Sequence, residues 1–96
     1  MLDLAMTSSR FEAALAYAHQ VHQGQIRKGT GIPYVAHVLG VAAIALEYGA
    51  TEDQAIAALL HDAAEDGGGE ATLAEIRAKF GDDVADIVLG CSDSLV

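Results

Sequence analysis

The stretch Ala57-Ala58-Leu59-Leu60-His61-Asp62-Ala63-Ala64-Glu65-Asp66 runs from four apolar residues directly into one imidazole and three carboxylates. Its apolar half reads as the buried face of a helix that opens on a capping box, Thr51 with Gln54, and continues through Ile56, Leu59 and Leu60. The helix is expected to stop by Asp66, because Gly67-Gly68-Gly69 cannot continue it cheaply. Within such a helix His61 and Glu65 are four apart, as are Asp62 and Asp66, so each pair shares one face. Charge this dense beside a core-forming run has an electrostatic cost, which a bound divalent cation would offset.

Outward from this stretch, every other segment also reads as helix. Upstream, Pro33 suits a first helical turn, where its missing N–H costs nothing, and a helix is predicted from there to Tyr48, ending at Gly49. Before it, Gln25–Gly31 reads as a polar loop carrying Arg27 and Lys28. The chain begins with a helix over about 9–23, opened by Ser9 with Glu12 and stopped at Gly24. Downstream, Thr72 with Glu75 is expected to cap a short fourth helix ending at Phe80-Gly81. A fifth starts near Asp82 and carries Val84, Ile87 and Val88. About five helices with short connections predict an all-α bundle, with residues 1–96 as one domain.

Composition agrees with that class. Of 96 residues, 52% are apolar and nineteen are Ala, which loses no side-chain entropy in a helix and lets helices approach closely. One proline and little β-branched clustering argue against an all-β fold. Fourteen acidic against five basic residues give a formal charge of −9, which argues against nucleic acid as a partner, since no basic face is available to displace phosphate counterions. A phosphorylated small molecule stays compatible if a metal or a few cations reverse the potential locally. Cys91 stands alone and reads as a small apolar residue of the fifth helix in a reducing compartment. The N-terminal MLDLAM lacks the basic region and long apolar core of a signal peptide, and no apolar run reaches the ~18 residues of a membrane span. A soluble, cytoplasmic protein is the expectation, with the oligomeric state open, a homo-oligomer included.

Adjacent His61 and Asp62 point about 100° apart on a helix, yet both reach an ion near its surface. Two protein ligands hold a metal weakly, and His37, near the start of the second helix with Val41 and Ile44 following at core-facing spacing, is the best third. Imidazole mixed with carboxylate suits Mn, Fe or Zn better than Mg or Ca. A metal with an open position lowers the pKa of its bound water, and Glu65 or Asp66 can orient that water or take its proton. His19 and His22, three apart, read either as a second metal pair or as ordinary structural histidines. Tyr34 serves either substrate contact or packing. Glu52-Asp53 and Asp82-Asp83 suit helix N-termini. The glycine triplet lacks the Lys-Ser/Thr of a phosphate-binding loop and is read as a turn.

Three ordered motifs carry a resemblance: His22-Gln23-Gly24-Gln25-Ile26-Arg27-Lys28, then Gly31-Ile32-Pro33-Tyr34-Val35-Ala36-His37, then His61-Asp62-Ala63-Ala64-Glu65-Asp66. Together with Glu75-Ile76 and Phe80-Gly81, they resemble the HD-class hydrolase half of RelA/SpoT homologues and their small stand-alone relatives. The resemblance implies Mn²⁺ held by His37, His61 and Asp62, with Glu65 and Asp66 promoting attack of the metal-bound water. It implies Arg27 and Lys28 lining the pocket of a phosphorylated guanine nucleotide, and His22 supporting that pocket. The implied reaction removes the 3′-diphosphate of guanosine 3′,5′-bis(diphosphate), giving GDP or GTP and pyrophosphate. Two positions depart from the family pattern. Val38 stands where Pro usually follows the first ligand His, and the fourth ligand, an Asp on a later helix, is not matched by Asp93, which comes too early. The expectation is therefore the N-terminal portion of an HD bundle, cut short before the later helices. Two alternatives accompany it: an impaired HD module that binds nucleotide or a partner, and an HD phosphohydrolase acting on another nucleotide.

Overall fold

Thr51 has extended backbone, its hydroxyl accepts the Gln54 N–H at 3.1 Å, and Gln54 Oε1 accepts the Thr51 N–H at 2.9 Å. This reciprocal capping box launches the helix that the rest of the fold surrounds. A computed structural model of the chain describes residues 9–63 and 69–92. Within them lie five helices: α1 (Ser9–Val21), α2 (Val35–Glu47), α3 (Glu52–Leu60), α4 (Glu70–Phe80) and α5 (Asp82–Ser92). No β-strand is found among the described residues, only an isolated antiparallel bridge between Ile26 and Pro33. The all-α bundle is the observed architecture. No helix of the described residues is long and apolar enough to cross a membrane.

Helix α3 is central, packing against α1, α2 and α5, while α4 pairs with α5. Ile56, Leu59 and Leu60 of α3 are fully buried, with Ala14 and Ala18 of α1, Val38 of α2, Ile76 of α4 and Val84 and Val88 of α5 in the same core. Each large side chain so buried stabilises the fold by roughly 1.5–3 kcal/mol. Alanines at positions 14 and 18 leave room for α1 to lie close to α3, and Tyr17 of α1 meets Phe80 edge-on at 6.0 Å. The Tyr17 phenol is pushed above its usual pKa by burial and by its hydrogen bond to the Glu75 carboxylate. Arg10 ties three elements together: its guanidinium donates to Glu52 and Asp53 in the first turn of α3 and to the Phe80 carbonyl at the end of α4. Being half-exposed, the ion pairs stabilise only by about 0–1 kcal/mol.

Several predicted boundaries move. Helix α1 ends at Val21, with a turn over 22–24, and Ser9 is already helical and not a cap. Pro33 precedes α2 and does not open it, because the Ile26 bridge holds it: the Tyr34 N–H donates to the Gln25 carbonyl and the Arg27 N–H to the Ile32 carbonyl, both at 2.8 Å. The loop carrying Arg27 and Lys28 is thus pinned at its base. Helix α4 starts at Glu70, capped by Gly69, and Thr72 is a buried residue inside the helix, not its cap. On α2 the core-facing residues are Val38 and Ala42, whereas Ile44, expected inside, is 60% exposed. Helix α3 closes at Leu60, and His61 and Asp62 form a turn before helical Ala63, so the expected stop by Asp66 falls outside the described residues.

The end of α2 follows its prediction. The Gly49 N–H reaches the Leu46 carbonyl at 3.1 Å and the Ala50 N–H reaches Ala45 at 3.0 Å, with Gly49 at φ +85°. This pair of bonds closes the helix in a left-handed turn that favours glycine. A Cβ on Gly49 would touch nothing within 4 Å, so its replacement tests backbone strain without a clash. Gly49→Ala is expected to cost about 1 kcal/mol net of its smaller unfolded-state entropy. A thermal melt followed by circular dichroism should fall by roughly 4–8 °C.

Candidate metal centre

His61 directly follows the last residue of α3 and retains right-handed helical backbone angles. Its Nδ1 lies 2.9 Å from the Ala58 carbonyl oxygen. A carbonyl only accepts, so Nδ1–H is the donor, and in the neutral ring Nε2 carries the lone pair. That Nε2 faces Asp62 Oδ1 at 3.1 Å. His37, the third residue of α2, approaches from the other side, its Nε2 3.4 Å from Asp62 Oδ2. The two imidazole centroids are 6.1 Å apart. Among the described residues, His37, His61 and Asp62 form a group whose candidate ligand atoms all lie within 4.8 Å of one another.

This arrangement tests whether the residues suit a cation. With its Nδ1 proton committed to Ala58, neutral His61 would set a lone pair against a carboxylate oxygen, two acceptors in contact. A proton or a metal ion between them removes that conflict. Ligand bonds of about 2.0–2.2 Å place neighbouring donors of one ion roughly 3 Å apart, near the two separations to Asp62. Two nitrogens and a carboxylate match a borderline divalent ion, and the donor set fits one.

The surroundings hold Asp62 in place. The Tyr34 hydroxyl donates to Asp62 Oδ2 at 2.7 Å, and the Tyr34 ring lies 4.7 Å from His22 and 5.4 Å from His37. His22 is buried, its Nδ1 2.9 Å from Gln25 Oε1 and its Nε2 without a hydrogen-bond partner among the described residues. The sequence left Tyr34 undecided between packing and substrate contact. The available signal was its position three residues before His37, which puts a polar-tipped ring beside the imidazole one turn on. His19 is exposed on α1.

Arg27 and Lys28 are exposed in the loop between α1 and α2, and among the described residues neither makes an ion pair. Among the described residues, no hydrogen bond or ion pair joins them to the three candidate ligands. The structure connects their loop to the centre through Tyr34, whose N–H holds the loop base and whose hydroxyl holds Asp62. Glu65, Asp66 and Asp93 lie outside the described residues.

Residues 14–95 match the HD domain family, a segment that contains all three ligand candidates. The chain belongs to the HD-domain family. This HD domain is 41% identical over 83 residues to a guanosine-3′,5′-bis(diphosphate) 3′-pyrophosphohydrolase of Aquifex aeolicus, covering 86% of the chain and 12% of that relative. It is 39% identical over 83 residues to the bifunctional (p)ppGpp synthase/hydrolase SpoT of Escherichia coli, with 86% and 11% covered. It is 44% identical over 77 residues to a GTP pyrophosphokinase of Myxococcus xanthus, with 80% and 10% covered. The HD domain therefore spans about a tenth of the length of these curated relatives.

Proposed function

We propose that this HD domain is the metal centre of a phosphohydrolase that removes the 3′-diphosphate of guanosine 3′,5′-bis(diphosphate), consuming one water and releasing GDP and pyrophosphate. The corresponding pentaphosphate would give GTP. The observation that carries the reading is the convergence of His37, His61 and Asp62 from two separate helical segments. The names of relatives matching most of the chain support the substrate. Mn²⁺ is the proposed ion, with His37 Nε2, His61 Nε2 and one Asp62 oxygen as its protein ligands. When bound, it supplies Lewis acidity toward phosphoryl oxygen and acidifies coordinated water.

The chain's own residues supply the rest. Ala58 fixes the His61 tautomer, so Nε2 presents a lone pair without a competing proton. Glu65 and Asp66, following Asp62 in sequence, are proposed to orient the water and accept its proton. Arg27 offers a planar fork to phosphate oxygens and Lys28 a compact charge, both on a loop anchored beside the centre. In a chain of net charge −9 these two cations are two of only five.

Incubation of the protein with guanosine 3′,5′-bis(diphosphate) and Mn²⁺ is expected to release pyrophosphate. Intact Mn²⁺ binding without release would remove the substrate assignment. Arg27→Ala should lower kcat/KM by about tenfold to a hundredfold, the loss of one or two charge-assisted hydrogen bonds. Since Arg27 is exposed, the melting temperature should stay put. Unchanged turnover would take Arg27 out of the pocket. The match to a relative named GTP pyrophosphokinase favours one second reading, an HD module that binds guanine nucleotide without turnover. Nucleotide binding without pyrophosphate release would select it.

A further inference from the structure

The three candidate ligands do not account for Tyr34, Gln25 and buried His22, which stack behind them. A carboxylate presents two oxygens, and rotation about its terminal bond is soft, so an unsupported Asp62 can turn either edge toward an ion or chelate it with both. The Tyr34 hydroxyl removes that freedom by donating to Oδ2 at 2.7 Å, while Oδ1 stays toward His61 Nε2 at 3.1 Å. The phenol is itself fixed. Its main-chain N–H is bonded to the Gln25 carbonyl at 2.8 Å, and its ring is tilted 40° against the His22 ring at 4.7 Å. His22 is 2% exposed and held at Nδ1 by the Gln25 side chain, 2.9 Å away. Gln25 therefore supports this arm twice, through its carbonyl and through its side chain.

We infer that Tyr34 is a positioning residue that sets how Asp62 presents its carboxylate to the metal, holding Oδ2 on the His37 side, 3.4 Å from His37 Nε2, and Oδ1 on the His61 side. The inference rests on the proposed metal centre and goes beyond it by assigning a residue outside the ligand set. Hydrogen-bond partners of metal ligands contribute about tenfold to a hundredfold in affinity. Tyr34→Phe keeps the ring and its packing on His22 and deletes only the donor. The full chain is titrated with Mn²⁺ by calorimetry, and its Co²⁺ form is read in the visible, where band positions report ligand number and geometry. The Phe variant is expected to bind Mn²⁺ at least about tenfold more weakly than wild type, with a shifted Co²⁺ spectrum and an unchanged metal-free melt. Site-specific 3-fluorotyrosine at position 34 restores the hydroxyl and should return both readouts close to wild type.

Equal Mn²⁺ affinity and identical Co²⁺ spectra in wild type and Tyr34→Phe overturn the positioning role and leave the metal centre standing. Failure of the fluorotyrosine variant to recover overturns it too, because the donor would then not be the cause. Wild type that binds no Mn²⁺, or binds it unchanged after His37→Ala, defeats the metal centre itself and this role with it.

Discussion

Asp62→Asn should abolish stoichiometric Mn²⁺ binding at concentrations where the wild-type protein is saturated. Asp62 is the hub of the centre: both imidazole Nε2 atoms face its oxygens, at 3.4 and 3.1 Å, and the Tyr34 hydroxyl donates to one of them. Asn keeps the shape and removes the one negative charge among the three proposed ligands, while its amide nitrogen cannot bind a cation. Substitution of an outer-shell partner typically weakens metal affinity by 10–100-fold. Removing the anionic ligand itself should exceed that, by more than about 100-fold, and pyrophosphate release should fall with it. Calorimetric titration with Mn²⁺ beside a pyrophosphate assay reads both. A variant with wild-type affinity would show that the carboxylate is not a ligand.

The second large effect concerns stability. Leu59 is fully buried in α3, the helix that contacts α1, α2 and α5. Leu59→Ala is expected to lose about 2–5 kcal/mol, from lost transfer energy plus the cavity left behind. Against a total stability of about 5–15 kcal/mol, with a chain this small near the lower end, that is a large share. The melting temperature should drop by roughly 10–30 °C in a circular dichroism scan. If the proposed centre holds Mn²⁺ in the folded chain alone, saturating Mn²⁺ should recover part of the loss. Leu39→Ala on α2, where the side chain is 46% exposed, is the matched control and should shift the melt far less. Similar losses for both leucines would contradict the assignment of the core.

What the sequence disclosed depended on how local the signal was. The α3 capping box is encoded by Thr51 and Gln54 alone, and the α2 terminus by Gly49, so both were legible and both are observed. The three ligand candidates came from separated motifs, and their convergence needed the packing of α2 against α3 to be seen. Less local features went astray. Helix α2, Val35–Glu47, is apolar on nearly every face, so periodicity could not choose between Val38-Ala42 and Val41-Ile44 as the buried pair. Pro33 satisfies the rule for a first helical turn, yet pairing with Ile26 across the loop holds it outside α2. Thr72 matched a capping pattern although Gly69 caps α4. The Tyr34 bond to Asp62 spans 28 positions, and no local pattern encodes it.

The termination of α3 at Leu60 has an electrostatic consequence. The last carbonyls of a helix present a partial negative charge of roughly half an electron, and here that end abuts His61 and Asp62. The peptide backbone thus adds its own attraction for positive charge to that of the carboxylate. The diphosphate of the proposed substrate would meet the opposite: two repulsive contributions that a cation already in place would reverse. Under the proposed function the scaffold's field would set the order of assembly, the ion preceding the anion.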